Sequence, residues 1–440
     1  MVPSNVLTTG IQTPLNILIV GAGVCGPAIA FLLQKANHRH NITIMERGST
    51  LRAAGQQIDL KNEAPFILEK MGLLDRVKAC CVNETGLEVV DANDRQVAFF
   101  GVSPSDERGL TLTSEFELMR GDFVGVLYDA SIEQDTKLKS IEGYRQGLQY
   151  KFGETVEKLD QTPQGPVDVT FSSGKYGGRY DLVIGADGQA SRTRRMMFGE
   201  KASAASFHPL GIHGAYFSIP GIKNEGSIAK VFFSTGRKMV FTRPSDRPTT
   251  GVLFFLRGDF AQLDECYHQS IAAQKAAFTA ILDGFEWQKD RFQKGIESTD
   301  DFYATKLGQI KLKTLFKDRT VLVGDSGYGP SPFTGLGTTL ALLGAYTLAG
   351  ELTKHGDNMG EALRNYENKM KPFIQEYQQI PSTALSLVFV SSRPAVWLLN
   401  QFAWVLSKFS TMMPQRPNVI DYRGRLPEYP ELRLVDDTQK

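Results

Sequence analysis

The sequence predicts an α/β fold: a Rossmann-like dinucleotide-binding domain, interrupted by an inserted β-sheet domain and followed by C-terminal helices. Three observations carry this. An apolar strand over 15–20 runs into Gly21, Gly23 and Gly26 at GxGxxG spacing, and a second strand, NITIME, ends on Glu46. Residues 205–260 hold four apolar runs (GAYFSIP, KVFFS, KMVFTRP and GVLFFLRG) separated by Gly, Pro and Ser. The stretch RTVLVGD at 319–325 then returns to the strand-then-glycine character of the start.

The glycines of the first loop serve three mechanical ends. Gly21 permits the tight turn, Gly23 lets backbone approach a pyrophosphate, and Gly26 lets the helix pack on the strand. The helix from about Pro27 aims its positive N-terminal end at the phosphates. Glu46 lies 20 residues beyond Gly26, in register to accept hydrogen bonds from ribose hydroxyls, with Arg47 beside it as an adenine or phosphate neighbour. The bland alternative is a glycine-rich turn in an unrelated α/β protein.

In chain order, a leader over 1–14 precedes a first dinucleotide-binding part, 15–82, whose amphipathic helix Glu63–Met71 stops at Gly72. Residues 83–104 alternate around the turn signal at 91–94 and predict a β-hairpin of the substrate domain. A second part, 105–195, contains a helix carrying Phe116, Met119, Phe123, Val126 and Leu127, then strands near 149–152, 167–171 and 181–188. The β-rich substrate domain spans 196–299, a third dinucleotide-binding part 300–355, and C-terminal helices and a tail 356–440.

The 440-residue chain has 49 basic and 48 acidic residues, a net +1 that offers no electrostatic footprint for nucleic acid. Cys25, Cys80, Cys81 and Cys266 show neither metal-ligand spacing nor a disulfide framework, so reduced thiols and a cytoplasmic location are expected, with no metal. The leader lacks the basic-then-apolar pattern of a secretory signal. The apolar stretches 385–390 and 395–406, with Trp397 and Trp404, are broken by Ser391, Ser392, Arg393 and Pro394. They read as a docked helix or as a peripheral membrane face, not as a spanning helix.

Three further stretches carry chemistry. In ELMRGDFVGVL at 117–127, Arg120 opens a helix and faces the crevice, where a guanidinium neutralises phosphate. GADGQASRTR at 185–194 sets Asp187, Gly188, Ser191 and Arg194 after a strand; the plainer reading of Asp187 is a turn residue. In VGDSGYGPSPFTGLG at 323–337, Asp325 follows a strand and Gly335 and Gly337 open a helix.

Together the GxGxxG loop, the D-G-x-x-S-x-x-R stretch at 187–194, and the Gly324–Asp325 pair with Pro332 eight residues after the glycine resemble the FAD-dependent group A aromatic hydroxylases, the family of p-hydroxybenzoate hydroxylase, over about residues 15–380. Within LRAAGQQIDL, Arg52 and Asp59 look like the arginine and aspartate of the tetracycline monooxygenases and their fungal relatives, and PSPFTGLGTT looks like the fungal secondary-metabolism branch. The resemblance implies FAD as cofactor and NADPH or NADH as co-substrate. It places Asp325 on the ribityl hydroxyls, the helix after Gly337 at the flavin's pyrimidine carbonyls, Arg120 at pyrophosphate or ring, Arg52 at the nicotinamide donor and Asp59 at FAD.

The implied activity is a monooxygenase that uses O₂ and gives one oxygen atom to an apolar aromatic or polycyclic small molecule, by hydroxylation, epoxidation or Baeyer–Villiger insertion. The cofactor carries the difficult step, so no side-chain nucleophile is required. The alternative is a flavin-dependent reductase or cyclase without oxygen transfer. The β-rich insertion is expected to roof the ring, with His213, Tyr216, Phe217, Arg237 and Phe241 as candidate pocket residues and His213 as the one histidine to test as an acid or base. For each of these, an ordinary core role is the plain alternative.

Overall fold

The computed structural model describes residues 13–432 and 434, apart from 53–54, 102–115, 145–146, 164, 224, 245–246 and 411–419. Most of the expected leader, part of the 105–195 segment and the end of the tail therefore lie outside the described residues.

A six-stranded sheet forms the centre of the first domain, in the order Phe316–Lys317, Thr320–Leu322, Leu182–Gly185, Asn16–Val20, Asn41–Glu46 and Leu148–Phe152. All neighbours are parallel except the first pair. Parallel strands covered on both faces need apolar residues without alternation, and Ile17, Leu18 and Ile19 are all fully buried. Helices Cys25–Ala36, Arg120–Leu138 and Gly337–His355 contribute Leu32, Phe123, Leu127 and Leu343 to the core on one face. The other face is covered by a three-stranded antiparallel sheet, whose Val156, Val169 and Phe171 pack on Leu18, Val20 and Val183.

The second domain is a seven-stranded sheet in the order Tyr303–Ile310, Phe207–Pro220, Thr249–Arg257, Lys238–Pro244, Ile228–Ser234, Gly86–Val90 and Gln96–Gly101. The hairpin 86–101 turns at Asp91–Asp94 and joins through a parallel pairing with Ile228–Ser234. One face meets helices Ala261–Cys266, Ile271–Ile281 and Lys289–Ser298 through Phe254, Phe278, Trp287 and Phe292. The other face turns toward Phe333 and the C-terminal Leu385, Phe389 and Ala403. Among the described residues no helix is long and apolar enough to cross a membrane.

Three differences from the sequence expectations follow from pairing. Phe116 and Met119 do not share a helix with Phe123: Glu117–Met119 is a strand paired with Gln57–Asp59, and the helix begins at Arg120. Tyr303–Ile310 belongs to the seven-stranded sheet, because it pairs with Phe207–Pro220 from Ile310 to Tyr303. The strands Val156–Gln161 and Tyr176–Tyr180 escaped notice because each is short and polar on its open face.

Candidate active site

The glycine loop is shaped by backbone contacts. Gly21 sits at φ +111° and donates its N–H to Met45 O at 2.7 Å, and a Cβ there would lie 2.5 Å from Ala186 O. A Cβ on Gly26 would lie 2.2 Å from Gly21 O. Gly23 differs, because among the described residues only Arg120 Nη2, at 3.8 Å, faces the position of its missing side chain. The loop is thus closed toward the sheet and open toward one cation.

Glu46 braces this loop, its Oε2 accepting from Ala22 N at 3.0 Å and its Oε1 from Gly48 N at 2.9 Å. Arg47 beside it is exposed. Asp187 holds the next helix instead of facing the crevice. It accepts from the Ser191 hydroxyl at 2.5 Å and from the Thr193 N–H at 2.9 Å, while Ser191 caps Arg194 N. The turn reading of Asp187 therefore describes its geometry.

Arg194 is a buried strut. It donates to Ser326 O and Gln189 O at 2.7 Å each and to Ser203 Oγ at 3.1 Å. The stretch 187–194 is thereby tied to the segment that carries Asp325.

Asp325 is exposed, yet enough protein surrounds it that desolvation pushes its carboxyl above the ordinary range, with Arg120 pulling it down. A group both reachable by solvent and flanked by protein lies at the floor of a cleft. No hydrogen bond occupies its carboxylate among the described residues. Gly324 precedes it at φ +70°, where a Cβ would meet Cys25 Sγ at 2.6 Å, so the first loop and this segment abut. Burial, then Asp325, pushes the Cys25 thiol far up, which makes it a packing group. Beyond Pro330, Ser331 adopts φ +82°, ψ 145°, a region nearly reserved for glycine, and its buried hydroxyl has no partner among the described residues. Gly335 at φ +64° then leads to the helix that starts at Gly337 without a side-chain cap.

A cleft between the domains lies on the Gly55 side of Arg120. Gly55 packs on the Arg120 side chain and, with Arg52, Gln57 and Met119, forms one wall; Tyr216, Phe217, Ser218, Arg243, Asp301 and Tyr303 form the other. The cleft is narrow and opens to solvent. Arg52 lies 5.2 Å over the Tyr303 ring, and burial, then Arg120, pulls its pKa down. Arg47, Arg52 and Arg120 thus make one side of the site cationic. Tyr216 is buried, its hydroxyl has no partner among the described residues, and burial raises its pKa.

Behind the cleft wall, Arg243 donates to both oxygens of Glu84, at 3.1 and 3.0 Å, and to Glu117. Gln57 donates to the same two carboxyl groups. Burial pushes Glu117 up to about 10, against the pull of Arg243, and a hydrogen bond with Asp59 adds to the rise. Asp59, expected at FAD, faces this cluster and Lys61, 3.8 Å away.

Three expected pocket residues lie elsewhere. His213 stacks on Tyr267 and bonds its hydroxyl at 2.9 Å, because it shares the helix-covered face of its strand with Ala215 and Phe217. Arg237 is exposed at a hairpin tip at φ +59°, bonded through its backbone to Val390. Phe241, half-buried on the sheet face that carries Tyr216, packs on Phe255 and is not among the residues lining the cleft. Tyr216 lines the cleft, and Phe217 borders it while its ring packs on Phe302 on the helix-covered face. Sequence reasoning missed Gln57, Glu84, Glu117 and Arg243; the available signal was a charged residue inside the apolar run KMVFTRP.

One glycine loop, an arginine facing it, a carboxylate near that arginine and a cleft against the β-sheet define an oxidoreductase built on a single dinucleotide-binding domain. The chain matches the FAD binding domain family over residues 14–380 and belongs to that family. It is 36% identical over 430 residues to the FAD-dependent monooxygenase asL6 of Sarocladium schorii, covering 96% of this chain and 99% of that one. It is also 36% identical over 383 residues to the flavin-dependent monooxygenase eupH of Phoma sp., covering 82% and 85%. The crystal structure of tetracycline destructase Tet(51) superposes with a TM-score of 0.73 at 26% identity, covering 92% of this chain and all of that one. The protein is an FAD-dependent monooxygenase.

Proposed function

We propose that this monooxygenase uses NADPH or NADH and O₂ to insert one oxygen atom into an apolar aromatic or polycyclic small molecule of secondary metabolism. The observation that carries the reading is the continuity of two half-sites through Arg120. Its guanidinium faces Gly23 of the phosphate loop while its stem packs on Gly55 at the wall of the aromatic-lined cleft. The residues fit FAD: the open side of Gly23 admits a pyrophosphate next to a cation, and the Asp325 carboxylate is free for hydroxyl groups.

Gly21, Gly23 and Gly26 would hold the pyrophosphate, Glu46 the ribose, Asp325 the ribityl chain, and the helix from Gly337 the ring's carbonyl end. When bound, FAD supplies hydride acceptance and oxygen activation. The chain's own work is to bind, orient and exclude water. Arg120 sets positive charge between the phosphate loop and the cleft, and Arg52, over Tyr303, offers a second cation for an anionic co-substrate. Tyr216 and Tyr303, whose rings stack 6.0 Å apart, give a ring-shaped substrate a flat apolar wall. The proposed location is cytoplasmic, with membrane-surface contact through helix Arg393–Ser410, where Trp397, Leu398, Phe402 and Phe409 are exposed. Co-sedimentation with lipid vesicles checks that contact.

The test is purification with FAD, then NAD(P)H oxidation and oxygen uptake against phenols, quinones, polyketides and terpenoids, with mass analysis of products. Gain of one oxygen atom supports the reading; turnover without oxygen in any product overturns it. Asp325→Ala is expected to weaken FAD binding at least about tenfold, roughly one lost charge-assisted hydrogen bond, read by flavin fluorescence titration.

A further inference from the structure

One polar group in the cleft wall is left unsatisfied by the fold. Gln57 lines the cleft and is 7% exposed. Its amide nitrogen donates to Glu84 Oε2 at 3.1 Å and to Glu117 Oε2 at 2.9 Å. An amide nitrogen has two hydrogens, so both are engaged. Turning the amide over would forfeit both donor bonds and set its oxygen against Glu84 Oε2, which already accepts from Arg243.

The two carboxyl groups are themselves fixed, since Arg243 donates to both. Gln57 Oε1 is therefore held in one orientation, away from the carboxyl groups. It is buried and has no hydrogen-bond partner among the described residues. The Tyr216 hydroxyl, on the opposite wall, is likewise buried and unpartnered among them. Both residues line the cleft although neither orphan atom is itself open to solvent; buried polar atoms are almost always paired in a working protein, so these two mark groups that a ligand satisfies where the wall yields to it.

We propose that Gln57 is a specificity-determining residue, whose Oε1 accepts a hydrogen bond from a free hydroxyl of the substrate. Glu84, Glu117 and Arg243 are positioning residues that fix the amide, and the Tyr216 hydroxyl is available to a second oxygen of the ligand. The ligand class is a ring compound with an unmasked hydroxyl group; its O-methyl ether has no hydrogen to give. This rests on reading the cleft as the substrate site of the monooxygenase.

The test titrates 2-naphthol and 2-methoxynaphthalene calorimetrically into the FAD-loaded protein. The naphthol is expected to bind at least about tenfold more tightly, because the ether leaves a buried acceptor unpaired. Gln57→Leu is expected to bring the two affinities within about twofold of each other at unchanged FAD content. Glu84→Gln, which frees the Gln57 amide to turn, is expected to lower the ratio with Gln57 intact, a response that a merely structural Glu84 would not give.

A ratio near one in the wild-type protein, no measurable naphthol binding, or a ratio preserved in both variants overturns the proposal. So does a change in FAD content with the ratio unchanged, which would place Gln57 at the cofactor. If Gln57→Leu does not fold, Gln57→Met, which also lacks the acceptor, decides the same question. Absence of FAD from the wild-type protein overturns the broader reading instead, so the two failures are distinguishable.

Discussion

Replacing Arg194 with leucine tests whether the stretch 187–194 serves the site by bracing it. The guanidinium makes two 2.7 Å bonds to the carbonyls of Ser326 and Gln189 and a weaker one to Ser203. Bonds from a charged donor are each worth about 1.5–3 kcal/mol, so the two short ones sum to about 3–6 kcal/mol. Burying the cation costs part of this, as the lowered pKa of Arg194 shows, which leaves a net loss of about 2–4 kcal/mol. At roughly 2–4 °C per kcal/mol for a large domain, Arg194→Leu should melt about 4–16 °C lower. Ser326 adjoins Asp325, so FAD occupancy should fall with it. Differential scanning fluorimetry and the flavin-to-protein absorbance ratio read the two effects. Arg194→Lys, which keeps a single directed donor, should recover only part of each. An Arg194→Leu protein that melts within about 1 °C of wild type and keeps its flavin would refute the strut.

Gly26→Ala forces a Cβ to within 2.2 Å of Gly21 O, and the loop cannot yield without losing its shape; flavin occupancy after purification should fall at least about tenfold. Ser331→Gly relieves a backbone conformation that costs a residue with a side chain about 1–3 kcal/mol, so the melting temperature should rise by a few degrees. The Glu117 carboxyl is raised to about 10 in the fold, so between its ordinary value and 10 the folded state holds a proton that the unfolded state has released. Its stabilising contribution is full below the ordinary carboxyl range and is lost as pH rises, at up to about 1.4 kcal/mol per pH unit. Stability measured from pH 5 to 9 should therefore fall less steeply in Glu117→Gln than in wild type.

What the sequence made legible was local. The three glycines act within a few residues of themselves, and spacing alone conveys that. Asp187, Ser191 and Arg194 were legible as a pattern but not as a function, because the same spacing serves a helix cap and a cofactor contact. His213 went astray through parity: alternation tells that neighbours on a strand face opposite ways, but not which way faces the site. Arg237 depended on a tight turn with φ +59° in a non-glycine residue, which TGRK does not announce. The cluster of Gln57, Glu84, Glu117 and Arg243 is held by direct bonds between residues up to 159 positions apart, and only the three-dimensional pairing brings them together.

The seven-stranded sheet is assembled from two separated lengths of chain, the hairpin 86–101 and the run 207–310. A chimaera that exchanged only the longer length with a relative would graft five strands and keep two foreign ones. The mismatch would fall on the parallel seam between Ile228–Ser234 and Gly86–Val90, at a newly imperfect edge open to aggregation. Changing what this enzyme accepts by recombination therefore calls for two cuts at each end of the graft, moved as one unit.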